Sequence, residues 1–247
     1  TLLYKDGERG EFLPALALSW EWLDETHLFV ALRDDVSFQD GTPFTAEDVH
    51  YTIERLTESA ATEDLYAAFD AEETTVEEDY YITIALHEPS AAALGLLADT
   101  RASILSKTYC EDAEEGTLTR APMGTGAYRL STWTEGGEVR LTRNDSYWGD
   151  AAKTENLSFV FLADSATRLA ALEAGEVDIA SDLDAEEIDR LLAGECAGKS
   201  GVTAPGASIG LLAFNLDDEV VGELEVRQAI AYAVDWEAAA AACGSIA

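Results

Sequence analysis

Apolar positions recur along this chain in two rhythms. Over 27–33, His27-Leu28-Phe29-Val30-Ala31-Leu32-Arg33 is dense in β-formers, and 81–86, Tyr-Ile-Thr-Ile-Ala-Leu, is β-branched and aromatic. Both predict strands, the second stopped by Pro89. Between them Asp40-Gly41 marks a turn, and Thr45-Ala46-Glu47-Asp48 opens a helix. Thr45 supplies a cap and the two acids sit at the positive end of the helix dipole. Val49, Ile53 and Leu56 follow on one stripe. A short apolar helix is predicted over 90–98. After a tight loop at 122–126, strands are predicted over 128–133, 139–142 and 157–162. Asp164 then caps a helix whose Leu169 and Leu172 face inward and whose C′ residue is Gly175. The pattern continues with a short strand over 177–180, a helix over 184–193, a buried strand over 209–214 and a long helix over 224–242 closed by Gly244. Strands mixed with helices in two antiparallel-looking groups predict an α/β fold, not a barrel or a bundle.

Charge changes this picture more than any other property. Fifteen Lys and Arg stand against 49 Asp and Glu, a formal net charge of −34, and only Lys5, Lys107, Lys153 and Lys199 are lysines. In dilute salt such a chain repels itself. At molar ionic strength the screening length shrinks to about 3 Å, so an acid-rich, lysine-poor surface reads as adaptation to a very salty medium. The acids are spread through apolar-periodic segments, which disfavours a single acidic tail, and the scarcity of clustered cations disfavours nucleic-acid binding. No stretch of eighteen apolar residues occurs. The amino end lacks a basic segment followed by an apolar one, so an export signal, if the protein has one, is outside this sequence. Cys110, Cys196 and Cys243 are far apart with no CxxC, and His27, His50 and His87 fall in separate segments. Neither set predicts a metal site, and no cofactor is expected.

Several segments, in order, resemble the peptide-, dipeptide- and nickel-type (family 5) solute-binding proteins of ABC importers. They are LPALALSW at 13–20, LRDDVSFQDGTPFTAEDV at 32–49, ASILSK at 102–107 and MGTGAY at 123–128. RNDSYWG at 143–149, ALEAGEVDI at 171–179, Phe214-Asn215 and VRQAIAYAVD at 226–235 complete the set. Each has a structural role of its own. Gly124-Thr125-Gly126 lacks the lysine of a phosphate loop and reads as a sharp chain reversal. Residues 144–149 read as a turn folding Tyr147 and Trp148 onto the core, and Arg227 as a partner for Glu223 one helical turn away.

The resemblance implies a periplasmic-binding-protein-like α/β fold (type II, peptide-binding cluster). It implies a smaller accessory sub-domain over 1–121 and the larger part of the first lobe over 122–247, ending near the crossover to a second lobe. It implies capture of a peptide-like solute, or a nickel complex, outside the membrane, and delivery to the permease subunits of an ABC transporter. Contact with the membrane would be through that transporter or a lipid anchor. In this reading Asp99, Thr100 and Arg101 border the ligand cleft, Arg101 offering a two-pronged bond to a carboxylate, with Phe214 and Asn215 beside the hinge. One lobe of a two-lobed cleft is expected to hold solute weakly. Two other classes compete. A hydrolase using paired carboxylates gains little from chance pairs among 49 acids, and no nucleophile elbow or metal triad is present. An adhesion sandwich is opposed by the predicted helices.

Overall fold

The computed structural model describes residues 1–114, 117–203 and 211–242. They fall into two compact units, Thr1–Phe161 and Leu162–Ala247.

The first unit begins with the short pair β1 (Leu3–Lys5) and β2 (Phe12–Pro14). An antiparallel sheet follows, in the order β3 (Ala17–Trp22), β4 (His27–Leu32), β6 (Tyr81–Leu86), β5 (Phe69–Glu78). In β4 burial alternates strictly, and Leu28 and Val30 face Ile84 and Ile82 of β6 in register, so one face of the sheet is continuously apolar. Helix α1 (Ala46–Glu58) lays its Val49, Ile53 and Leu56 stripe into the same core, which also takes Phe44 and Phe69. Each such side chain, fully buried, is worth about 1.5–3 kcal/mol. The expected turn is present: Gly41 has φ +93°, a conformation that strains any residue with a Cβ, and Asp40 accepts the Thr42 N–H at 2.9 Å.

The start of α1 is tied to a distant segment. The Asp48 carboxylate is buried and accepts from the Thr45 backbone N–H at 2.9 Å, the Thr45 hydroxyl at 3.3 Å and the Lys107 backbone N–H at 2.8 Å. Thr52, one turn on, accepts the Leu105 N–H at 3.0 Å. Two short helices, α2 (Glu63–Tyr66) and α3 (Ala93–Ala98), and then α4 (Lys107–Asp112) and α5 (Thr117–Arg120), complete this part.

A separate three-stranded sheet, β7 (Tyr128–Trp133), β8 (Glu138–Arg143) and β9 (Asn156–Val160), comes after the 122–126 loop. The expected boundary at 121/122 thus falls between two sheets, both inside the first compact unit. The loop works through its carbonyls. Gly124 O accepts the Gln39 N–H at 3.1 Å, and Gly126 O accepts Asn144 Nδ2 at 3.1 Å. Neither glycine takes a positive φ, so the chain passes this loop without a left-handed residue at either. Trp148 packs on the core as expected, its Nε1 donating to Thr125 O at 3.1 Å.

The second unit holds α6 (Ser165–Ala174), α7 (Ala185–Leu192), α8 (Leu224–Ala233) and α9 (Trp236–Ala242). Asp164 caps α6 through the Thr167 N–H at 2.8 Å, and Gly175 closes it with φ +75°. Leu169, Leu172, Leu191 and Cys196 form a small core. Arg168 staples the entry to α6, donating to the carbonyls of Leu162, Ala163, Ser181 and Asp182.

Four expectations fail in this unit. Residues 177–180 are not a strand, and neither are 211–214; Ile209 and Gly210 lie outside the described residues. Leu211 and Leu212 are 74% and 51% exposed instead of buried. A strand buried on both faces needs neighbours for its ladder, and no strand is described in this unit. The long final helix is two, because Val234 is extended and Asp235 caps the second through the Ala238 N–H at 3.0 Å. An Asp competes for free N–H groups and so favours a helix start over an interior. Gly244 and Cys243 lie outside the described residues. Arg227 also departs from expectation: its Nη1 donates to the carbonyls of Val221 and Gly222, not to Glu223.

Candidate functional site

Asp99, Thr100 and Arg101 form one rigid turn. Asp99 ends α3 and caps the 3-10 turn Thr100–Ala102, its Oδ1 accepting the Arg101 N–H at 2.9 Å. Thr100 O accepts the Ser103 N–H and, at 2.6 Å, its hydroxyl. Ala102 and Ile104 are buried beneath, so the turn is anchored from its apolar side. Thr100 itself is exposed.

The Arg101 guanidinium is engaged by its own neighbour. Nε donates to Asp99 Oδ1 at 2.8 Å and Nη2 to Oδ2 at 2.9 Å, a bidentate pair. The arginine's hydrogen bonds and charge hold the Asp99 carboxyl down to about 2, and the same pair raises Arg101 further above its usual value. Burial lifts the hydroxyl of neighbouring Tyr66, with the Asp99 charge adding to it, and that hydroxyl donates to Leu96 O at 3.2 Å. An arginine carries five donors, and Asp99 takes two of them. The end-on edge, Nη1 with the second Nη2 proton, is not used by Asp99. The two-pronged contact anticipated from sequence is therefore limited to that edge unless Asp99 lets go.

Phe214 and Asn215 belong to the second compact unit. Phe214 is half-buried and Asn215 exposed. Asn215 opens a turn, its Oδ1 accepting the Asp217 N–H at 3.2 Å and its backbone carbonyl the Asp218 N–H at 3.3 Å. The hydrogen bonds of Asn215 thus stay within its own turn.

A further feature escaped the sequence reading. A cavity of about 360 Å³ is lined by Gln39, Tyr109, Arg120, Met123, Arg129 and Trp133 among others, and by none of the five residues above. Nothing periodic marks it: its walls come from 109–133, with Gln39 brought in from a distant segment. Among the described residues no cluster of three or more His, Cys, Asp or Glu is arranged to hold a metal, and no helix is long and apolar enough to cross a membrane.

The architecture is mixed α/β, and comparisons with known proteins place the chain in a family. Residues 11–245 match the family described as bacterial extracellular solute-binding proteins, family 5 (middle). The chain belongs to that family. It is 29% identical over 241 residues to the probable D,D-dipeptide-binding periplasmic protein DdpA of Escherichia coli, covering 94% of this chain and 46% of that protein. It is 31% identical over 257 residues to di/tripeptide-binding protein 3 of Pseudomonas aeruginosa, covering 94% and 48%. Among solved structures, NikZ of Campylobacter jejuni in complex with Ni(L-His) superposes with a TM-score of 0.78 at 27% identity, covering 97% of this chain and 48% of that one. The fold is thus the periplasmic-binding fold of family 5. The chain spans about half the length of the curated relatives it matches.

Proposed function

We propose that this chain is the ligand-capturing part of an extracytoplasmic solute-binding protein that delivers a short peptide to the permease of an ABC importer, and that it catalyses no reaction. The observation that carries the reading is the family match over residues 11–245 together with relatives named for dipeptide and tripeptide binding. In this reading Asp99, Thr100 and Arg101 form part of the cleft wall, with Phe214 and Asn215 beside the hinge. Asp99 holds Arg101 in one rotamer, so the guanidinium meets a peptide carboxylate already ordered. Capture outside the membrane fits a surface kept hydrated by its acids, and the excess of acid over base is the adaptation to high salt.

The test is calorimetric titration of dipeptides, and of nickel with histidine, into the gene product carrying this sequence, in molar potassium chloride. Saturable dipeptide binding, weakened about tenfold by Arg101→Gln, is expected, a loss of roughly 1.4 kcal/mol. Binding indifferent to Arg101 removes the site assignment. Saturation by the nickel complex alone changes the ligand class, and release of free amino acids from a peptide overturns the non-enzymatic reading.

A further inference from the structure

In a chain carrying 49 acids, the 360 Å³ cavity has no carboxylate in its lining and two arginines, Arg120 and Arg129. Its size falls within the range of small-ligand sites, about 300–1,000 Å³. Its walls are fixed. Tyr109 donates its hydroxyl to Ala121 O at 2.6 Å, holding the end of the segment that carries Arg120. Gln39 Nε2 donates to Tyr128 O at 2.8 Å, pinning the start of β7, which carries Arg129 and Trp133. Met123 is packed against the main core beneath. The Arg120 guanidinium lies 5.2 Å from the centre of the Trp133 ring, so cation and aromatic face are held together.

Arg120 has one ion-pair partner among the described residues, Glu135, whose Oε2 is 2.7 Å from Nη2. Both side chains are more than half exposed, at 52% and 79%, which makes this a pair of small net worth that another carboxylate can replace. Arg129 has no ion pair among the described residues. In molar salt the long-range field of the −34 chain is screened within a few ångströms, so what an anion meets is this local pair of cations and not the net charge. Chloride competes for bare charge under those conditions. A ligand that also lays a flat apolar body against Trp133 and Tyr109 keeps an advantage over it.

We propose that this groove binds a small aromatic carboxylate, its carboxylate between Arg120 and Arg129 and its ring against Trp133. The site shares no residue with the one proposed for peptide capture and does not depend on that reading. Glu135 acts as a resident competitor for Arg120.

The probe is 4-fluorobenzoate, followed by fluorine NMR in molar potassium chloride, with uncharged 4-fluorobenzyl alcohol as the comparison. A saturable shift for the benzoate and none for the alcohol is expected. Arg129→Gln should weaken binding about tenfold, and Glu135→Gln, by releasing Arg120, should tighten it about threefold. Both positions are exposed, so neither substitution threatens the fold, and a role confined to structure would not produce changes of opposite sign. No saturation by the benzoate, an equal response to the alcohol, or unchanged binding in both variants overturns the proposal.

Discussion

Replacing Asp48 by alanine is expected to cost the first unit stability, although the chain already carries a large excess of acid. Two backbone N–H groups, of Thr45 and Lys107, and the Thr45 hydroxyl lose their acceptor. An orphaned buried donor costs about 1–3 kcal/mol. Two of them, less the desolvation returned when the carboxylate leaves, give a net loss of roughly 3 kcal/mol. For a domain the size of Thr1–Phe161 each kcal/mol moves Tm by about 2–4 °C, so the variant should melt about 6–12 °C lower. Removing one acid from a chain of net charge −34 also relieves repulsion, which acts the other way. Calorimetric melting in molar potassium chloride screens that second effect and leaves the first. Asp48→Asn keeps one acceptor oxygen and should fall between the two.

The same residue has a pH signature. Desolvation raises the Asp48 carboxyl above its ordinary value of 3.8, against the hydrogen bonds from Lys107 and Thr45. A folded value above the unfolded one means that the proton is held more tightly in the folded chain. This stabilisation is fully present below the unfolded value and is lost as pH rises through the folded one. The parent should therefore gain on Asp48→Asn as pH is lowered toward 3.8. An alanine variant melting within a degree of the parent in molar salt would refute the assignment of Asp48 as the tie between α1 and α4.

Other outcomes are expected elsewhere. Melting temperature should climb steeply from dilute to molar potassium chloride, and a flat or falling curve would count against salt adaptation. Leu169→Ala empties the centre of the small core of the second unit and should cost about 2–5 kcal/mol, seen as earlier loss of helix signal and of amide protection in α6 and α7. Asp99 is depressed to about 2 by Arg101, so its contribution is present above 3.8 and fades as pH falls through about 2; Asp99→Asn should lose the acid-side part of that dependence in a pH titration of Tm.

The first unit was largely legible in the sequence, and the reason is local. Strand β6 runs over the predicted residues because its β-branched and aromatic run is bounded by a turn and a proline. Helix α1 begins where Thr45 and Asp48 can exchange caps, and Gly175 closes α6 in the left-handed conformation only glycine takes readily. The second unit was read less well because its apolar runs are ambiguous. An apolar stretch such as Leu211-Leu212-Ala213-Phe214 predicts a buried strand only if a ladder is there to receive it. For the candidate site, the sequence proposes Asp99 and Arg101 but does not show that they pair with each other. That Arg101 spends two donors on Asp99 follows from the 3-10 turn, a conformation that no composition signal announces.

Among the elements that sequence reasoning passed over, β5 is the longest, and its omission has a physical cause that bears on the whole surface. Asp70, Glu72, Glu73, Glu77 and Glu78 dominate Phe69–Glu78, leaving no apolar alternation except Phe69, the half-buried Ala71 and Val76, and the buried Thr74. The stretch is a strand because β6 offers it a ladder, not because of its own propensity. It lies at the edge of its sheet, where unpaired N–H and C=O groups invite another chain to add on. A row of carboxylates repels a second copy along that edge. Register shifts between Asp70 and Thr75 and between Val76 and Glu78 interrupt the pairing surface further. In molar salt the screening length of about 3 Å is shorter than the roughly 4.8 Å between paired strands, so the repulsion weakens there and the irregular pairing is what still disfavours a second copy. The acids thus guard this edge chiefly in dilute salt, and the register shifts guard it in both media.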